Sequence, residues 1–158
     1  MADLSLFLLP KSLFLSLNSE KEEFVLEEIL EHLKKDERVS DWNSLLSSIL
    51  IPPPFPLSCN KKTVAMLYHG RTNSVRDFVM AVGRSHRGVS FNHVDELVHL
   101  FFVIAIPHAL NQEYLRVMGS ISRVCNDSSK LEKLILSLSP SEFIEILSEK
   151  EKGNDQLY

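Results

Sequence analysis

Chemistry in this 158-residue chain has few places to start. The candidates are six histidines, His32, His69, His86, His93, His99 and His108, and two cysteines, Cys59 and Cys125. A metal centre needs several imidazoles or thiolates converging, as at i and i+4 on a helix. No pair of these histidines has that spacing on a predicted helix, and two distant cysteines suit neither a zinc site nor a disulfide scaffold. No metal and no cofactor are therefore expected. Gly-x-Ser-x-Gly is absent, neither cysteine has an activating neighbourhood, and there is no Gly-x-Gly-x-x-Gly or Walker-type loop. A hydrolase triad and a tight nucleotide site are not expected either.

What remains is histidine as a nucleophile in its own right. A neutral imidazole accepts a phosphoryl group on one ring nitrogen when the other is held as a donor. The incoming charge then needs backbone N–H groups or an arginine close by. His69-Gly70-Arg71 supplies those parts: a nucleophile, a residue that lets backbone approach closely, and a cation. On pattern alone a histidine at a strand end is more often structural, and both readings stand at this point.

The elements that would position His69 run from Thr63 to Pro107. Thr63–Tyr68 reads as a buried strand delivering His69 to the rim of a sheet, where ligands gather in open α/β folds. Gly70 to Asp77 is then a polar loop. Val98–Ile106 is the longest apolar run and the predicted central strand, covered on both faces. Between them a strand is expected over Phe78–Ser85 and a short one at Val89–Phe91, with Arg87-Gly88 as the turn. Leu4–Leu17 predicts a short helical turn and an edge strand.

Helices are expected from the Ser19-to-Glu22 capping box through Lys34, and over Asp41–Ile51. Three more follow: Asn111–Val124 capped by Asn111, Ser129–Leu138, and one opened by Ser139-Pro140-Ser141-Glu142. Ile51–Pro56, with three consecutive prolines, is expected as a stiff connector; a ligand for a proline-binding module is the rarer use of such a stretch. The sum is an α/β fold, a mixed sheet flanked by helices on both faces. One domain over residues 1–150 and a polar tail over 151–158 are expected.

Composition is that of an ordinary globular protein, with 44% hydrophobic and 24% charged residues. A net charge of −4 offers no basic field for nucleic acid. Asp3 precedes the apolar N-terminal stretch and Pro10 and Lys11 interrupt it, so it reads as no signal peptide, and no run is long enough to cross a bilayer. A cytoplasmic protein without membrane insertion is expected.

The order of elements resembles the IIA domain of the phosphoenolpyruvate-dependent sugar phosphotransferase system of bacteria, of the fructose/mannitol and nitrogen-regulatory type. The resemblance covers about Phe7 to Leu147. It rests on Phe7-Leu8-Leu9-Pro10 before the first helix, on Ala65 to Arg71, on Val79 to Phe91, and on Val98 to Pro107. Tyr114 to Asp127 and Ser139 to Leu147 complete it. Ala65–Arg71 is similar to the family's active-site motif, Ala-Ile-Pro-His-Gly-Lys/Arg.

The resemblance implies the family's fold, with His69 as phosphoryl acceptor and Gly70 and Arg71 as phosphate-stabilising residues. It implies an HPr-like phosphocarrier protein as donor. A IIB domain, or a regulated enzyme or transporter, would then be the partner downstream, and the expected role is regulatory. Ile104-Ala105-Ile106-Pro107-His108-Ala109 spells the motif more literally. Only 50 residues follow His108, however, against 89 after His69, too few for the strands and helices the family places there. A second family histidine falls at Tyr114, with His108 as a possible substitute, so these two are accessory candidates. The chain departs from the family in its glycine-free approach, Ser58 to Thr63, and in Tyr68 where proline is usual. These departures motivate the alternative expectation, a module whose site has decayed and which works by protein–protein binding. No further phosphotransferase module is expected within 158 residues.

Overall fold

The structure, a computed structural model, describes residues 3–50 and 52–149; the expected 151–158 tail and the end of the second predicted helix at Ile51 lie outside them. Five strands form one mixed sheet in the order β1-β4-β5-β3-β2. They are β1 (Leu13–Phe14), β2 (Phe55–Cys59), β3 (Lys62–Arg71), β4 (Val79–Val89) and β5 (Val98–Ile106). β5 is central, as its apolar run predicts. It runs parallel to β3, with His69 opposite Ile104, and antiparallel to β4, with Val82 opposite Phe102.

Alternation along β5 divides the core. Leu100, Phe102, Ile104 and Ile106 join one buried cluster, while Phe101, Val103 and Ala105 join the other. Helices α1 (Glu22–Leu33) and α2 (Trp42–Leu50) cover the second cluster. Helices α3 (Asn111–Asn126), α4 (Ser128–Leu136) and α5 (Pro140–Ser148) cover the first. The helices therefore flank both faces, as expected. Phe101 and Phe102 are both fully buried, one on each side, each stabilising the fold by roughly 1.5–3 kcal/mol.

Several local expectations are corrected. Phe55 and Pro56, the end of the expected connector, instead begin the edge strand Phe55–Cys59. It pairs antiparallel with β3 through a two-residue turn in which Asn60 and Lys61 both take positive φ, the geometry a tight hairpin needs. Pro56 is tolerated there because an edge strand leaves one row of donors unpaired. β3 runs on through Arg71, so Gly70 and Arg71 lie within the strand and not in the expected loop. Val79–Val89 is one strand whose register shifts between Arg84 and Val89, and Gly88, at φ 80°, sits in that irregularity.

The Ser19 capping box does not form. Lys21 precedes α1, and the Ser19 hydroxyl instead donates to Glu28 Oε1 at 2.7 Å. Leu110 occupies the cap position of α3 without a side-chain bond, so Asn111 begins that helix without capping it. Asp127 caps α4 by accepting from the Lys130 amide. The Ser139 half of the α5 box forms as read: Ser139 Oγ accepts from the Glu142 amide at 3.1 Å, with Pro140 opening the helix, while the Glu142 carboxylate accepts from the Leu138 amide instead of that of Ser139.

Candidate functional site

His69 is the eighth residue of β3 and lies toward its C-terminal end. Strand alternation points odd-numbered residues of β3 at the α3 face: Ala65 and Leu67 are in that cluster, and His69 and Arg71 follow. Tyr114, in the first turn of α3, meets both. Its ring centroid is 6.1 Å from that of His69, and the Arg71 guanidinium carbon lies 4.9 Å from it. Three of the sequence candidates, His69, Arg71 and Tyr114, are thus brought together on one side of the sheet.

The His69 ring is half-buried. Its Nδ1 is closed to solvent and has no hydrogen-bond partner. That leaves Nε2 as the nitrogen through which this ring can react. Burial first, and the Arg71 charge second, hold the His69 pKa below the ordinary histidine range. Both disfavour the imidazolium, so a neutral imidazole with a free lone pair is the resting form. A neutral nitrogen nucleophile beside a fixed guanidinium suits attack on an anionic electrophile such as a phosphoryl group.

Gly70 points the other way. A Cβ there would come within 2.7 Å of the Ser48 backbone, so α2 crosses β3 at a distance that excludes any side chain. This residue lets α2 seat against the strand beside His69.

His108 is exposed in the turn between β5 and α3. It lines a polar cleft of about 360 Å³ together with Arg71, Thr72, Ser74, Ser40 and Asp41. The cleft's loop is tied down. The Thr72 amide donates to the Ile106 carbonyl at 2.9 Å, and the Thr72 and Ser74 hydroxyls share a 2.7 Å bond. The Ser40 amide and hydroxyl both donate to the Ser74 carbonyl. Sequence reading missed Thr72, Ser74 and Ser40; Thr72-Asn73-Ser74 directly after the candidate arginine was the available signal. The remaining histidines are elsewhere: His99 Nδ1 lies 2.8 Å from the Ser85 carbonyl, as expected of a hydrogen-bonded strand residue, and His32 stacks on Phe14. Among the described residues no cluster of histidine, cysteine and carboxylate could hold a metal, and no helix is long and apolar enough to cross a membrane.

Comparison with known proteins agrees with the fold. Among solved structures, the nitrogen regulatory protein IIA-Ntr of Neisseria meningitidis superposes with a TM-score of 0.76. The match is 22% identical and covers 92% of this chain and 99% of that one. The mannitol IIA of Escherichia coli gives 0.66 at 21% identity, over 89% of this chain and 98% of that one. Among characterised sequences, the fructose-specific EIIABC component of Bacillus subtilis is 25% identical over 139 residues, 87% of this chain and 22% of that protein. The fructose-specific EIIA component of Haloferax volcanii is 28% identical over 82 residues, 51% of this chain and 53% of that protein. The chain thus aligns with about a fifth of the first relative's length and about half of the second's. The model of the phosphoenolpyruvate-dependent sugar phosphotransferase system EIIA 2 family matches residues 6–150, and this chain belongs to that family.

Proposed function

We propose that this chain is a phosphoryl carrier in which Nε2 of His69 accepts the phosphoryl group of an HPr-like phosphocarrier protein. The observation that carries the reading is the half-buried histidine with a depressed pKa and a sealed Nδ1, beside an arginine held on a tyrosine ring. The Nε2 lone pair attacks phosphorus as the bond from phosphorus to the donor's nitrogen breaks, and the donor imidazole leaves with that electron pair. His69 keeps its proton on Nδ1. Arg71 faces the negative charge of the phosphoryl oxygens that arrive on Nε2, and Gly70 holds the strand close under α2. Solved relatives include an Escherichia coli complex of mannitol IIA with phosphorylated IIB, which supports a IIB domain as one class of downstream partner. The likeness to a nitrogen regulatory protein supports a regulatory output instead.

Incubating the purified protein with phosphoenolpyruvate, its dependent kinase and HPr tests this directly. A mass gain of one acid-labile phosphate, lost in His69→Ala, is the expected result. One observation favours a second reading. Nδ1 has no partner to hold its proton, so the ring lacks the brace that a working carrier uses. If the folded protein takes up no phosphate, the site has decayed and the chain works by binding a partner.

A further inference from the structure

Where β3 and β5 begin, a cleft of about 500 Å³ lies between the strands and α4. Two contacts fix the course of that helix. Cys59 Sγ, at the end of β2, lies 3.6 Å from the Asn126 carbonyl just before α4, and Arg84 of β4 donates to the Leu134 carbonyl in its last turn. α4 therefore crosses the strand ends from the β2 side to the β4 side. Starting from the β2 side, one wall of the cleft carries Lys62 of β3 and then Leu97, just ahead of β5. The other carries Glu132 and then Leu136, one turn apart on α4.

The floor is apolar, with Val64, Leu131 and Ile135. Leu97 and Leu136 on the rim are 54% and 66% exposed. Single exposed leucines need no explanation, but two on the rim of one apolar cleft make a patch. Among the described residues Lys62 and Glu132 are in no ion pair, so they do not close on each other across it. The buried side-chain polar atoms without a hydrogen-bond partner, Tyr68 Oη and His69 Nδ1, belong to residues outside its lining. A small ligand would thus find no sealed, unpaired polar group there to orient it. One charge of each sign, one on each wall, also selects neither a strongly acidic nor a strongly basic partner. The matching surface has the same apolar middle with its two signs exchanged across the cleft, and a second copy of this chain has that surface.

We propose that two copies of this chain associate through this cleft, about a twofold axis lying along it. That rotation keeps the order along the cleft and exchanges its walls. Lys62 of each copy then meets Glu132 of the other, and Leu97 meets Leu136, each contact being made twice. The leucines and the floor form the apolar centre and the ion pairs the rim, the usual layout of an interface. Lys62 opens β3 and His69 stands near its other end, so both His69 rings stay free. The assignment does not depend on whether they are phosphorylated.

Sedimentation of the full chain over a concentration series tests this. A monomer–dimer equilibrium with a Kd on the order of 100 µM is expected, the weak range of a small interface. Leu136→Asp should abolish dimerisation across the series. Lys62→Glu and Glu132→Lys should each weaken it about tenfold or more, because each creates two like-charge contacts. The double swap should restore the parental Kd to within a few-fold, a recovery that only this pairing gives. All three side chains are exposed, and circular dichroism verifies folding. A dimer that survives Leu136→Asp overturns the proposal, and so does a double swap no better than the single variants. A chain that stays monomeric at millimolar concentration also overturns it, and amide shifts on adding octanoate then decide whether the cleft takes a small apolar ligand instead.

Discussion

The Arg71 guanidinium carbon stands 4.9 Å from the centroid of the Tyr114 ring, joining the end of β3 to the first turn of α3 beside His69. Strand alternation alone would put Arg71 and His69 on the same side; the tyrosine face fixes where the cation rests. A cation over an aromatic ring is worth about 0.5–2 kcal/mol, depending on how far water is excluded. Tyr114→Ala is expected to slow phosphoryl transfer to His69 by roughly 3- to 30-fold. Tyr114→Phe should retain most of the rate, because the ring and not the hydroxyl makes the contact. Initial rates of mass gain with HPr as donor distinguish the two; equal losses would remove the ring's role.

The depressed His69 pKa sets a pH dependence with a definite sign. Burial and Arg71 both disfavour the protonated ring in the folded protein. The neutral nucleophile therefore persists below the free-histidine value of about 6.5, and the acid limb of the transfer rate falls below that pH. By linkage, the same shift favours the fold above the unfolded pKa, and that contribution is lost as pH falls through the folded one. Arg71→Gln removes one of the two causes, so the His69 midpoint should rise while staying below the free value. Following the ring's carbon-bound proton by NMR gives both midpoints. A midpoint that falls in the variant contradicts the assignment.

Much of this arrangement was legible in the sequence because it follows from period and punctuation. The apolar run Val98–Ile106 specifies a strand buried on both faces, and the Ser139 box with Pro140 specifies a helix start. His69 was legible because a histidine, a glycine and an arginine close a strand. The edge strand Phe55–Cys59 was not. Pro56 within it, behind three prolines, argues against a strand wherever both rows of donors must pair, and only its place at the sheet's margin removes that objection. The role of Gly70 was half legible: close approach was expected, but the approaching group is the Ser48 backbone. Tyr114 beside Arg71 joins residues far apart in the chain and needs the fold to be seen. The Ser19 box failed because Glu28, one helical turn and more away, offered that hydroxyl a better acceptor.

The crossing of α2 over β3 predicts the outcome of filling Gly70. A methyl group there meets Ser48 backbone atoms at 2.7 Å, and backbone cannot swing aside as a flexible side chain does. Gly70→Ala should destabilise the protein by about 1–3 kcal/mol, the usual range for overpacking. Because α2 would be displaced next to His69, transfer activity should fall even at temperatures where the variant is folded. Thermal unfolding followed by circular dichroism, with an activity measurement well below the midpoint, tests both parts. An unchanged midpoint would mean that α2 is free to slide on the strand.

Arg84 supplies the final prediction; it lies level with Leu100 and Ala65, four residues along the sheet from His69. It is 3% exposed and, among the described residues, has no carboxylate in ion-pair contact. Its charge is instead absorbed by neutral acceptors. Nη1 donates to the Leu134 carbonyl at 3.0 Å, to the Ser137 carbonyl at 2.6 Å and to Ser137 Oγ at 2.9 Å, while Nε donates to the Leu15 carbonyl at 3.2 Å. Burial lowers its pKa, with Glu142 opposing that shift. The side chain thereby ties β4 to the N-terminal segment and to the turn that links α4 with α5. Removing it strands these carbonyls in the interior, and hydrogen bonds to a charged donor are worth about 1.5–3 kcal/mol each in such settings. Arg84→Ala should therefore cost about 3 kcal/mol or more. Arg84→Lys should recover little, since one ammonium nitrogen cannot reach acceptors that the guanidinium meets from two separate nitrogens, Nε and Nη1. Urea unfolding of the two variants decides the matter: a lysine variant as stable as the parent would mean that charge alone, and not the fork of donors, holds the three segments together.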